Sequence, residues 1–236
     1  MRGFVLIGAM MVGWAVGAEA GALALDVAST SRGPEEMLAA DAAAWAAAPQ
    51  TELFLQRTPP IYESDPLDDG YRPSAHAAAV RNGDRLWVRL RWTDPTDSEP
   101  LPPARLPDAG DPRIYREHSV DVERFADAAC VMVPREPGMR GAYPALMMGD
   151  TGDPVNLFYW NRRRGFERMT AAGRATVPGS GPAFPGTARR LGDAWEVVFE
   201  LPALPAGTPI AFAVWDGDRG QRSGLKYYSL WYEVAP

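Results

Sequence analysis

The 236 residues carry 24 Lys plus Arg against 30 Asp plus Glu, a net charge of −6 and a pI near 5.0. A phosphate backbone is held by a basic face, so this balance excludes a general nucleic-acid binder and suits soluble protein partners. Apolar residues at 46% supply one sizeable core, and the length fits one large domain.

Residues 1–24 read as a secretory signal of the Sec type. Arg2 forms a short positive region, residues 4–16 an apolar run, and Ala-x-Ala spacing follows at Ala18/Ala20 and Ala22/Ala24. The run is short for a membrane span, which needs ~20 residues. Cleavage is expected to start the mature chain between residues 19 and 25, and residues 25–236 form the domain. An alanine-rich helix is expected over 34–48, with Ser31 as cap, Glu35 and Glu36 in its first turn and Pro49 at its end. Beyond it the pattern turns to β. A strand is expected over 51–57. Strands over 74–80 and 85–92 flank Asn82-Gly83, a hairpin signal. In the second, Leu86, Val88, Leu90 and Trp92 share one face and Arg85, Arg89 and Arg91 the other, the pattern of a half-buried strand. A Pro/Asp-rich loop spans 94–112. Strands follow over 127–133, 155–160, 174–177, 187–191, 195–201, 210–215 and 226–234. About ten short strands with frequent turns argue for a mostly β protein, a single-domain antiparallel two-sheet β-sandwich with short helical segments.

Chemistry-bearing motifs are few. There is no nucleophile elbow, phosphate-cradling glycine loop or zincin motif. Cys130 is the one cysteine, which excludes an internal disulfide, a Cys-x-x-Cys-His haem attachment and thiolate-held zinc or iron–sulfur sites. The two histidines, His76 and His118, sit in no supporting motif. Of 24 basic residues, only Lys226 is lysine. Codon bias accounts for much of the arginine preference, yet a lysine can lose its proton when buried and become a neutral donor, whereas a guanidinium stays charged. Met147 and Met148 precede Gly149, and a thioether is a soft ligand suited to haem iron as well as an ordinary core filler. In an extended segment consecutive residues face opposite sides, so at most one of the pair reaches a given cofactor.

Three blocks carry a family resemblance: RFADAACVMVP, PALMMGDTGDPVNLFYWN and SGLKYYSLWYEV. With AAWAAAPQTELFLQ and LRWTDPTDS they make the chain, from about residue 43 to the end, resemble the haem-b γ subunits of type II dimethyl sulfoxide reductase-family enzymes. These include the γ subunits of ethylbenzene dehydrogenase, dimethylsulfide dehydrogenase, selenate reductase and chlorate reductase. The resemblance implies a β-sandwich with one non-covalent haem b. By motif position it implies Met148 and Lys226 as the axial ligands, a role in electron transfer and no catalysis by the chain alone. Phe158, Trp160, Tyr228 and Leu230 are candidates to shield the cofactor; each would serve equally as core. The implied partners are a molybdenum-containing α subunit, an iron–sulfur β subunit and a soluble periplasmic carrier such as a c-type cytochrome. Two other readings remain at this stage. One is a carbohydrate-binding β-sandwich, whose platforms the eight Trp and eight Tyr could supply; the other is a stand-alone periplasmic haem-binding protein.

Overall fold

Side chains alternate across a strand, so a run that is apolar at every position must bury both faces. Three strands of this chain do so over most of their length, and the fold is arranged around them. The computed structural model describes residues 23–39, 43, 45–59, 68–98, 126–136, 143–221 and 224–236. The expected signal, His118 and most of the expected 94–112 loop lie outside these residues.

The protein is a two-sheet β-sandwich. The larger sheet contains β1 (Ala24–Leu25), β4 (Leu55–Arg57), β7 (Ala128–Pro134), β8 (Val155–Asn161), β9 (Gly165–Ala171), β12 (Pro209–Trp215), β13 (Tyr227–Ser229) and β14 (Tyr232–Val234). Its main path runs β1-β14-β12-β7-β8-β9, with β13 also on β12 and β4 on β13. The smaller sheet contains β2 (Val27–Ser29), β3 (Thr51–Leu53), β5 (Ala75–Asn82), β6 (Arg85–Thr93), β10 (Gly186–Arg190) and β11 (Ala194–Pro202), in the order β10-β11-β6-β5-β2 with β3 also on β5. Two pairings, β1 with β14 and β2 with β5, are parallel, so the sheets are mixed and not wholly antiparallel.

The inner faces meet in one core. Leu86, Val88, Leu90 and Trp92 of β6 face Ala129, Val131 and Val133 of β7, Phe158 and Trp160 of β8, and Phe212 and Val214 of β12. Trp160 packs against Trp92 and Trp195, with ring centroids 6.2 and 4.9 Å away.

Several local expectations give way to tertiary packing. The helix is only α1 (Pro34–Leu38), and its N-cap is Gly33, whose N–H donates to the Glu36 carboxylate at 3.2 Å. Trp45 is instead buried with Met37 against Trp87, which outweighs the helix propensity of the alanines. This N-terminal segment lies on the outer face of β5 and β6, so β6 is buried on both sides. Arg89 lies beneath it, its guanidinium 4.8 Å from the Trp45 ring centroid. The 51–57 strand breaks at Phe54, because β3 pairs with β5 in one sheet and β4 with β13 in the other. The 226–234 strand divides at Leu230 and Trp231. Residues 174–176 form a 3-10 turn, tightened by the Thr176 hydroxyl donating to the Gly173 carbonyl at 2.8 Å. β9 escaped the sequence pattern because Glu167, Arg168 and Thr170 interrupt its apolar residues.

The outer face of the smaller sheet holds a buried charge network. Glu196 accepts from Arg91 and from Arg189 Nε (2.7 Å), with Arg89 Nε 3.8 Å away. Glu196→Ala leaves the buried Arg89 without its counter-charge, and urea unfolding should show a loss of about 3 kcal/mol. The N-terminus supplies a second expectation. The Leu23 carbonyl accepts the Glu233 N–H at 2.7 Å, and Leu25 is fully buried. Cleavage after Ala20 keeps these contacts, whereas cleavage after Ala24 removes Leu23. For the leader expected from the sequence, N-terminal sequencing of the mature chain should therefore begin at Gly21, and a start at Leu25 would contradict it.

Candidate functional site

The second apolar face of the larger sheet points away from the sandwich core. There Cys130 and Met132 of β7, Val155 and Leu157 of β8, Met169 and Ala171 of β9, and Ala211 and Ala213 of β12 form a buried cluster. Half-buried Leu146, Met148, Tyr159, Val177, Trp215, Tyr228 and Trp231 pack around it. Register explains the grouping: Cys130 pairs with Tyr159 on one side and Ala213 on the other, and Ala213 pairs with Tyr228. The small side chains Cys130, Ala171, Ala211 and Ala213 make a low floor within the larger rim.

Lys226 joins this face, two residues before Tyr228. It is 8% exposed, and its ammonium lies 5.4 Å from the Trp215 ring centroid. Its backbone is pinned by Thr58: the Lys226 N–H donates to the Thr58 hydroxyl at 2.8 Å, and the Lys226 carbonyl accepts from the Thr58 N–H at 2.9 Å. Among the described residues no carboxylate pairs with the ammonium. Burial therefore dominates and pushes its pKa down to about 8; Arg174 adds repulsion and Cys130 works the other way. The neighbouring Cys130 thiol is pushed up to about 12 by burial, so it stays protonated.

Met148 reaches the same cluster from the 146–148 turn. Its φ is +70°, the one positive value among described non-glycine residues. An unbranched residue pays for the left-handed region with backbone strain, and such strain collects at functional sites. Neighbouring contacts hold it: the Met148 carbonyl accepts the Gly173 N–H, and the Gly149 N–H donates to the Ala145 carbonyl, both at 2.8 Å. Gly149, at φ +71°, also needs to be glycine, since a Cβ there would lie 2.5 Å from the Asp153 carbonyl oxygen. Asp150 closes the loop by accepting the Gly152 and Asp153 N–H groups. Trp231 then ties the turn to the Lys226 side, its indole donating to the Pro144 carbonyl at 3.0 Å.

The segment is thus a turn and not the extended stretch expected, yet the two methionines still part. Met147 is 42% exposed, while Met148 packs on the cluster. Tyr228 also lies on this face. Phe158 and Trp160 do not. They occupy the inner core because β8 sends its even-numbered residues inward and Val155, Leu157 and Tyr159 outward. Leu230 follows the end of β13 and is 43% exposed. His76, between core-facing Ala75 and Ala77, lies on the outer face of the other sheet. Sequence reasoning missed Cys130, Tyr159, Trp215 and Thr58. The first three follow from strand alternation once the inner face is known; Thr58 is visible only through its long-range hydrogen bonds. Chemically, the face offers a thioether and a readily deprotonated amine on an apolar surface.

Three curated relatives match most of the chain. One is the chlorate reductase subunit gamma of Ideonella dechloratans, 28% identical over 82% of this chain and 77% of its own length. Another is the dimethylsulfide dehydrogenase subunit gamma of Rhodovulum sulfidophilum, 28% identical over 79% and 70%. The family resemblance is borne out. A putative respiratory nitrate reductase heme subunit of Haloferax mediterranei is 27% identical over 80% of this chain, which spans 64% of that relative. No family model matches the chain. Among solved structures, a putative carbohydrate-binding protein from Bacteroides uniformis aligns with a TM-score of 0.47 at 12% identity, covering 89% of this chain and 90% of its own. A family 9 carbohydrate-binding module from Caldicellulosiruptor kristjanssonii aligns at 0.46 and 13%, covering 89% and 94%.

Relief of the strained turn is measurable without any cofactor. Glycine tolerates the left-handed region, so cofactor-free Met148→Gly should be more stable to urea than Met148→Ala by about 1 kcal/mol. Equal stability would remove the strain argument.

Proposed function

We propose that this chain is the haem-b-binding, electron-transferring γ subunit of a type II dimethyl sulfoxide reductase-family molybdoenzyme. One observation carries the reading: a buried lysine with no counter-ion among the described residues and a conformationally strained methionine converge on one apolar face. The γ and heme subunits among its relatives support it. In this reading Met148 Sδ and Lys226 Nζ hold the iron. A haem supplies one-electron chemistry, and two protein ligands leave no open position for substrate. Substrate turnover then belongs to a molybdenum-containing α subunit, electrons pass through an iron–sulfur β subunit, and the outer partner is a soluble periplasmic carrier such as a c-type cytochrome. Export by the Sec route to the periplasm fits the leader read in residues 1–24.

Each side chain has a definite task. Lys226 must lose its proton to expose a lone pair, and burial already favours that loss. The Thr58 contacts hold the Lys226 backbone in place while its side chain turns to the cluster. Cys130 stays a neutral thiol and offers no competing thiolate. The surrounding apolar side chains exclude water, which favours the less charged state of the centre. A carbohydrate-binding sandwich would have no use for a buried lysine on an apolar face.

The decisive comparison uses near-infrared magnetic circular dichroism and EPR of the oxidised protein. Lys226→Arg should lose the methionine–amine signature as completely as Lys226→Ala, since a guanidinium has no free lone pair. Met148→Ala should alter the signature and Met147→Ala should not. Binding that releases one proton from Lys226 should also tighten about tenfold per pH unit up to a pH near 8 and level off above it. An unchanged signature in Lys226→Arg, or an affinity independent of pH below 8, would remove Lys226 from the site.

A further inference from the structure

A second site lies at one end of the sandwich. Asp94 follows β6, Asp127 precedes β7 and Asp216 follows β12, so three carboxylates from both sheets meet there. Their side-chain oxygens, one from each residue, lie within 4.8 Å of one another, and all three residues are buried. Three buried carboxylates repel one another strongly. Burial and the Asp94 charge push Asp127 up to about 7 and Asp216 up to about 6.

The hydrogen bonds leave a defined coordination capacity. Asp127 Oδ2 accepts from the Ser98 N–H (2.8 Å) and the Trp195 indole (3.0 Å), and Oδ1 from the Gly217 N–H (3.0 Å). Asp216 Oδ1 accepts from the Arg219 N–H at 3.1 Å, and Arg219 Nε lies 3.3 Å from Oδ2. Asp94 Oδ1 takes both the Thr96 N–H and hydroxyl. Asp94 Oδ2 is left buried with no hydrogen-bond partner, in a residue that is fully buried. The Trp92 indole influences this carboxylate but makes no hydrogen bond of good geometry. Gln221 flanks the cluster through its Oε1, which accepts the Asp216 N–H at 3.0 Å. A fully buried carboxylate oxygen without a well-aligned donor is a free ligand position for a cation.

We propose that Asp94, Asp127 and Asp216 bind a hard divalent cation of the Ca²⁺ class, completed by water, which staples the two sheets together. The donor set is all oxygen, which Ca²⁺ prefers and which excludes soft metals. Ligand distances of about 2.4 Å place oxygens on opposite sides of Ca²⁺ about 5 Å apart, the scale of this cluster. Two positive charges relieve the mutual repulsion that neither Arg219 nor Arg190 cancels. The cluster shares no side chain with the Lys226 face.

The test uses the purified protein, freed of metal with EDTA and exchanged into chelator-free buffer. Tb³⁺ should show tryptophan-sensitised luminescence, because the Trp195 indole donates to one of the ligands. Ca²⁺ should displace it, and Mg²⁺, which demands a tighter octahedron, should do so about tenfold less well. Ca²⁺ should also raise the melting temperature of the metal-free protein, since an ion bound only by the folded state stabilises it. Asp94→Asn, which keeps an oxygen for Thr96, should weaken Tb³⁺ and Ca²⁺ binding by about tenfold or more while the circular dichroism spectrum is retained. If that variant does not fold, the wild-type titration decides. Absence of both sensitised emission and a Ca²⁺-dependent thermal shift in folded wild type would overturn the proposal. So would unchanged binding in folded Asp94→Asn. In that event the three acids share protons instead.

Discussion

A strand that is apolar on both faces cannot rest in a two-layer sandwich with its second face bare. β7, β8 and β12 are such strands: Val131, Phe158 and Phe212 fill the core, while Cys130, Leu157 and Ala213 point out of it. The outer residues are covered by the 143–149 turn, the 173–177 segment and the start of β13. Each cover contributes one chemically distinct group, respectively Met148, Arg174 and Lys226. The candidate site therefore arises from the same period-two constraint that builds the core.

Both groups that mark the face are held at an energetic disadvantage. A lysine whose pKa falls from 10.5 to about 8 destabilises the fold by about 3 kcal/mol while it carries its proton. The sign follows directly: this stability is complete above pH 10.5 and is lost as pH falls toward 8, so at neutral pH the full penalty applies. Coordination of the neutral amine, as proposed, would remove it. A φ of +70° at Met148 adds backbone strain that the Gly173 and Ala145 contacts sustain. The proposed ligand would use both of these disfavoured states.

The two sheets are joined differently at different places. At one edge the 51–57 segment crosses from the smaller sheet to the larger, and its second half pairs with β13 immediately after Lys226. At the end of β6 the acidic cluster and the Trp195–Asp127 hydrogen bond bridge the layers. On the outer face of the smaller sheet, Glu196 and its arginines sit near the N-terminal cover. The outer faces thus diverge, one closed by ion pairs and Trp45, the other by apolar groups and one buried amine.

What the sequence alone determined was local in origin. The alternation of β6, the hairpin at Gly83, the solitary Lys226 and the Met148-Gly149 pair are legible because each depends on residue type and short spacing. The family blocks extended that reading to the two proposed ligands. The tertiary structure decided which face each strand residue serves. Phe158 and Tyr159 are adjacent and similarly aromatic, and only pairing with β7 and the opposing sheet sends one inward and the other to the site. It also decided the burial of Lys226, which needs Trp215 and Thr58, and the meeting of Asp94, Asp127 and Asp216. Those contacts join residues far apart in the chain, and long-range pairing leaves no periodic trace in sequence.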